Sequence, residues 1–115
     1  MKIIITESKL NNLALKVLDK EYGNLTKVLK GGKTYYVDQY GLILFMYFQD
    51  RKDGYVYINY ERIWQLLETI FGMKYQQIKN ILKIWLEETY NLRGYIPIAS
   101  EFFSGPPLVE TYNLK

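Results

Sequence analysis

Six polar side chains, Lys74, Gln76, Gln77, Lys79, Asn80 and Lys83, crowd into ten residues of this 115-residue chain. Lysine suits phosphate and guanine edges, and asparagine and glutamine can bond adenine in a bidentate manner, so the group could read duplex DNA. The setting is right for a helix-turn-helix over residues 60–88. Leu67, Ile78 and Ile81 fall where such a motif takes apolar residues, and Phe71-Gly72-Met73 supplies the turn. Three features pull the other way. Glu68 stands where a tight helix crossing usually takes alanine, Lys74 is a poor N-cap, and Glu87 and Glu88 put negative charge farther along the same helix. An ordinary pair of helices covering a sheet explains the same pattern and is preferred, with DNA binding as the alternative.

A second group is Tyr35, Tyr36, Tyr47, Tyr55 and Tyr57 beside Lys27, Lys30 and Lys33. Rings for bases and cations for phosphates make stacking platforms for single-stranded nucleic acid. Tyrosine is also a common strand residue that buries its ring and wets its hydroxyl, so sheet packing or a protein interface is favoured. Asp50-Arg51-Lys52-Asp53-Gly54 hints at a calcium loop, but it lacks alternating ligands and a closing glutamate. A hairpin turn explains it.

Catalysis finds little footing. The chain has neither histidine nor cysteine, which removes the usual general base, thiolate nucleophiles and the common zinc ligands. Glu61, Glu68, Glu87 and Glu88 fall among helix-surface positions, where pairing in solvent is the ordinary role of a carboxylate. Gly31-Gly32 is a turn with no helix after it, so no phosphate-binding loop is expected. The expectation is a protein that is not an enzyme, with no catalytic, cofactor or metal site and no small-molecule substrate.

Length and composition set the frame for these side chains. At 49% hydrophobic and 17% aromatic, with twelve tyrosines, 115 residues suffice for one domain with a core of its own. A net charge of +3 is only mildly basic. The apolar runs at residues 3–5 and 42–48 are too short for a signal peptide or a membrane span, so no membrane partner is expected.

The elements follow from period and punctuation. Thr6 is an expected N-cap, with Ile5 and Leu10 spaced as a hydrophobic staple, and Leu10, Leu13, Ala14, Val17 and Leu18 form one helical stripe that Gly23 ends. Residues 25–29, 34–38, 42–48 and 55–58 then read as strands joined by three short connections. A four-stranded antiparallel meander is predicted. Its third strand is apolar on both faces, which means cover on both sides or an interface on one. Asn59 caps the next helix, whose stripe is Ile63, Trp64, Leu67, Ile70 and Phe71. After Gly72 a further helix turns Tyr75, Ile78, Ile81, Leu82, Trp85 and Leu86 to one side, with Ile84 off the stripe. Residues 95–99 could add a short strand held at an edge by Pro97, and residues 101–115 form an irregular tail or docking arm. The predicted fold is α+β: an N-terminal helix, the meander, a C-terminal helical hairpin and the tail, with the domain over residues 1–100.

The opening MKIIITES, together with IWQLLETIFGMKYQQIKNILKIWLEETYNLRGYIP, resembles small proteins of unassigned biochemistry encoded by tailed bacteriophages, notably in marine and metagenomic sequence. The resemblance implies a viral origin and a place in the host cytoplasm or the virion. It carries over no functional residues. With the surplus of apolar surface, the expectation is an accessory or structural module acting through a protein partner or self-association.

Overall fold

In a computed structural model of the chain, residues 7–49 and 54–100 are described, with side chains from Lys9 onward. The expected cap at Thr6, the staple at Ile5, the 50–53 turn and the tail 101–115 lie outside those residues. The chain runs α1 (Glu7–Tyr22), β1 (Thr26–Lys30), β2 (Lys33–Val37), β3 (Ile43–Phe48) and β4 (Tyr55–Asn59). A π-helical segment (Tyr60–Trp64) leads into α2 (Gln65–Phe71), followed by α3 (Tyr75–Tyr90) and β5 (Ile96–Ser100). The class is α+β, as the sequence implies.

The sheet departs from the predicted meander. It has five strands in the order β1-β2-β3-β4-β5; the first four are antiparallel and β5 lies parallel to β4. Parallel pairing needs a long crossover, and the helices between β4 and β5 provide one. Pro97 is tolerated because β5 is an edge strand.

Local chemistry fixes the breaks. A side chain at Gly23, just past the end of α1, would run into the Asp19 carbonyl, so the position needs glycine. Buried Asn59 closes β4 and opens the π-helical segment: its Oδ1 accepts from the Arg62 N–H at 3.2 Å and its Nδ2 donates to the Ile43 carbonyl at 2.8 Å. Gly72, at φ 61°, takes the left-handed conformation that caps α2. Asn91 does the same for α3 at φ 57°. Lys74, a lysine with no lone pair to cap with, instead donates its N–H to Gln77 Oε1 at 3.4 Å.

One core cluster joins every helix to one face of the sheet. At its centre Phe45 stacks on Tyr36 at 4.5 Å and meets Trp85 and Tyr90 edge-on at 5.9 and 5.3 Å. Both tryptophans are buried. Between Tyr36 and Val37 the register shifts, leaving Leu44 as an extra residue of β3; Leu44 and Phe45 therefore both join the core although they are neighbours.

Three expected core positions are corrected. Leu13, Ile70 and Tyr75 are 47%, 68% and 57% exposed. In α1 the inward residues are Leu10, Ala14, Leu15, Leu18 and Tyr22, because the helix packs on α3 and α2. Ile70 and Tyr75 flank the α2–α3 turn, whose inward residue is Met73. The predicted hairpin is also looser than expected: α1, rather than α2, is the main helical neighbour of α3.

Candidate interaction surface

Cross-strand partners share a face, so the ladder registers sort the sheet's side chains into two sets. On the helix side stand Tyr36, Phe45 and Ile58 in one row, with Thr34 and Tyr47 in the next. On the other side one row crosses all five strands: Val28, Tyr35, Met46, Tyr57 and Ile98. Beside it runs Lys30, Lys33 and Phe48. The described helices all pack on the Phe45 side.

Where these rows meet the β5 edge, Met46, Phe48, Tyr57 and Ser100 line a groove of about 480 Å³. Phe48 and Tyr57 meet edge-on at 5.9 Å, and Lys33 Nζ lies 5.8 Å from the centre of the Phe48 ring. Gln49 braces the strand by donating to the Lys33 carbonyl at 3.4 Å. Met46 forms the floor at 1% exposure, yet it is outside the helix-side core. Burial pushes the Tyr35 hydroxyl above its ordinary pKa. The surface is therefore apolar and aromatic with a lysine rim.

The expected tyrosine platform splits accordingly. Tyr36 and Tyr47 belong to the core, with Tyr90 and Tyr95 against them, while Tyr35, Tyr55 and Tyr57 share the open face by alternation. Lys30 and Lys33 sit on that face, and Lys27, opposite Tyr36, sits on the other.

The six polar residues of the DNA alternative lie along α3 and at its start. Lys74, Gln76, Asn80 and Lys83 are exposed, whereas Gln77 and Lys79 are half-buried. Several are already engaged: Gln76 Nε2 donates to Asn80 Oδ1 at 3.2 Å, Gln77 caps the helix, and Lys79 Nζ lies 5.4 Å from the centre of the Tyr75 ring. Glu68 accepts from the Tyr60 hydroxyl at 2.8 Å, and Glu87 lies 4.0 Å from Arg93.

Two further hollows occur. One, of about 380 Å³, lies between α1 and α3 against Leu15, Lys16, Asp19, Trp85, Glu88 and Thr89. The other, of about 390 Å³, adjoins Tyr22, Leu25 and Asp38. Asn11 Oδ1 and Trp85 Nε1 are buried without a hydrogen-bond partner. Among the described residues no three His, Cys, Asp or Glu side chains cluster as metal ligands, and no helix is long and apolar enough to cross a membrane. The five-strand row escaped the sequence reading because strand alternation was visible but register was not. The two-sided apolar character of residues 42–48 was its one signal.

Set against known proteins, the chain matches no family model, no curated protein and no solved structure.

Proposed function

We propose that this chain is a non-catalytic protein-interaction module, a phage-type accessory or structural protein that works through the open face of its sheet. The observation that carries the reading is the row Val28, Tyr35, Met46, Tyr57 and Ile98, continuous across five strands on the face away from the helices. Apolar rows of this extent usually meet a second polypeptide surface. The partner is an apolar polypeptide segment, and the setting is the host cytoplasm or the virion. Light scattering over micromolar concentrations tests the self-associating form. An assembly that Tyr57→Lys returns to monomer supports it. A monomer at every concentration removes the self-associating form.

A second reading rests on a separate observation, the exposed run Lys74, Gln76, Asn80 and Lys83 on α3. These side chains would meet phosphates and base edges of duplex DNA. The internal Gln76–Asn80 bond and the seven-residue length of α2 make it the weaker of the two.

A further inference from the structure

The groove at Met46, Phe48, Tyr57 and Ser100 has an obvious candidate ligand in the sequence itself. Ser100 is both the last residue of β5 and part of the groove wall, so the chain that continues from it starts at the groove. That continuation reads EFFSGPPLVETYNLK. It places Phe102 and Phe103 immediately after the wall and a Pro106-Pro107 pair soon after. Proline pairs favour the extended left-handed helix that docks on aromatic-lined grooves, and Phe48 and Tyr57 supply such a lining. Charge agrees as well: with Glu101, Glu110 and Lys115 the segment is net acidic, and Glu110 is far enough along it to reach the Lys30 and Lys33 rim.

Length is sufficient. Fifteen residues span at most about 50 Å when extended. Five strands measure about 19 Å from first to last, so the segment can cross the whole face. Being tethered at the groove, it also enjoys a high effective concentration over any free competitor.

We propose that residues 101–115 are the ligand of the open sheet face, seated across the Met46 groove of their own chain. This inference rests on the reading of that face as a polypeptide-binding surface and names its occupant.

The full-length protein offers a direct test. The chain has no cysteine, so Thr111→Cys, far enough from Ser100 for an undocked segment to carry it away from the groove, gives a single site for a nitroxide, and the methyl groups of Met46 and Met73 serve as probe and control in NMR. Met73 belongs to the helix-side core, away from the groove. With the label in place at high dilution, the Met46 methyl signal is expected to lose most of its intensity while Met73 keeps its own. Adding Tyr57→Lys should restore the Met46 signal.

An unbroadened Met46 methyl overturns the proposal. So does broadening that arises only when labelled protein is mixed with isotope-enriched, unlabelled protein, because a second copy then supplies the segment. The underlying reading is judged separately. A Tyr57→Lys-sensitive assembly in light scattering, alongside an unbroadened Met46, leaves the interaction surface standing and removes only this occupant. If both signals are absent, both fall.

Discussion

The Tyr90 hydroxyl, at the last turn of α3, accepts the Leu25 N–H at 3.1 Å and donates to the Tyr22 carbonyl. One side chain thus holds the link between α1 and β1 against the far end of the chain. Its ring simultaneously lies edge-on to Phe45, Tyr36 and Trp85. Tyr90→Phe should keep the ring packing and lose both bonds. The expected cost is about 1–3 kcal/mol, since a part-buried N–H and carbonyl lose their partner together. Urea unfolding should show a lower midpoint at unchanged slope.

The same aromatic cluster makes stability sensitive to alkali. Burial raises the pKa of Tyr36, with Tyr47 adding to it, above the ordinary 10.0. Burial likewise leads the upward shifts of Tyr22, Tyr35 and Tyr90. In the unfolded chain these hydroxyls ionise near their ordinary value, while the fold holds on to the protons. The stabilisation is therefore fully present below pH 10.0 and is lost progressively as pH rises towards the raised folded values. Thermal unfolding should show a flat response to pH up to that point and a fall beyond it. Tyr36→Phe should make the alkaline fall shallower.

Asn59 combines an acceptor and a donor in one buried amide, and two substitutions separate those roles. Asn59→Ala removes the cap on Arg62 and leaves the Ile43 carbonyl without its donor, at an expected cost of about 2–4 kcal/mol. Asn59→Asp keeps the acceptor but turns a carboxylate towards the Ile43 oxygen. A buried carboxylate facing a carbonyl is held above its ordinary pKa. Asn59→Asp should thus be the more damaging change at neutral pH and should regain stability as the solution is acidified and the carboxyl becomes a donor. Guanidinium titrations at several pH values would show it. An Asn59→Asp variant as stable as the parent at every pH would mean the Ile43 bond contributes nothing.

Much of this architecture is written locally. Asn59 and Gly72 announce their caps by residue type, and Trp64 and Trp85 fall on stripes that do become buried. The misplaced residues fail for non-local reasons. Leu13 has the right period, but α1 is rotated by its contact with α3, so Leu15 takes the inner position instead. The 96–100 segment carries a strand's composition, yet its parallel pairing with β4 depends on where two helices deliver the chain. The candidate surface shows the same limit. Strict alternation would group Leu44 with Met46, but the bulge sends Leu44 into the core with Phe45. Only the cross-strand register reveals that Met46, Tyr35 and Tyr57 belong together.

The two functional readings make opposite demands on the lysines of α3. If duplex DNA is the partner, Lys74, Lys79 and Lys83 neutralise phosphates, and affinity should fall steeply with salt. A Lys74/Lys79/Lys83→Ala triple variant should then bind more weakly and show a shallower salt slope, while its assembly state stays unchanged. If the open sheet face is the working surface, these lysines of the α3 region take no part in the contact. The triple variant should then assemble as the parent does, and Tyr57→Lys alone should disrupt contacts. Fluorescence anisotropy with a labelled duplex, run beside light scattering on the same two variants, distinguishes the cases. Tight, salt-sensitive binding by the parent that the triple variant loses would favour α3 over the sheet. Absence of binding even at low salt removes the α3 reading.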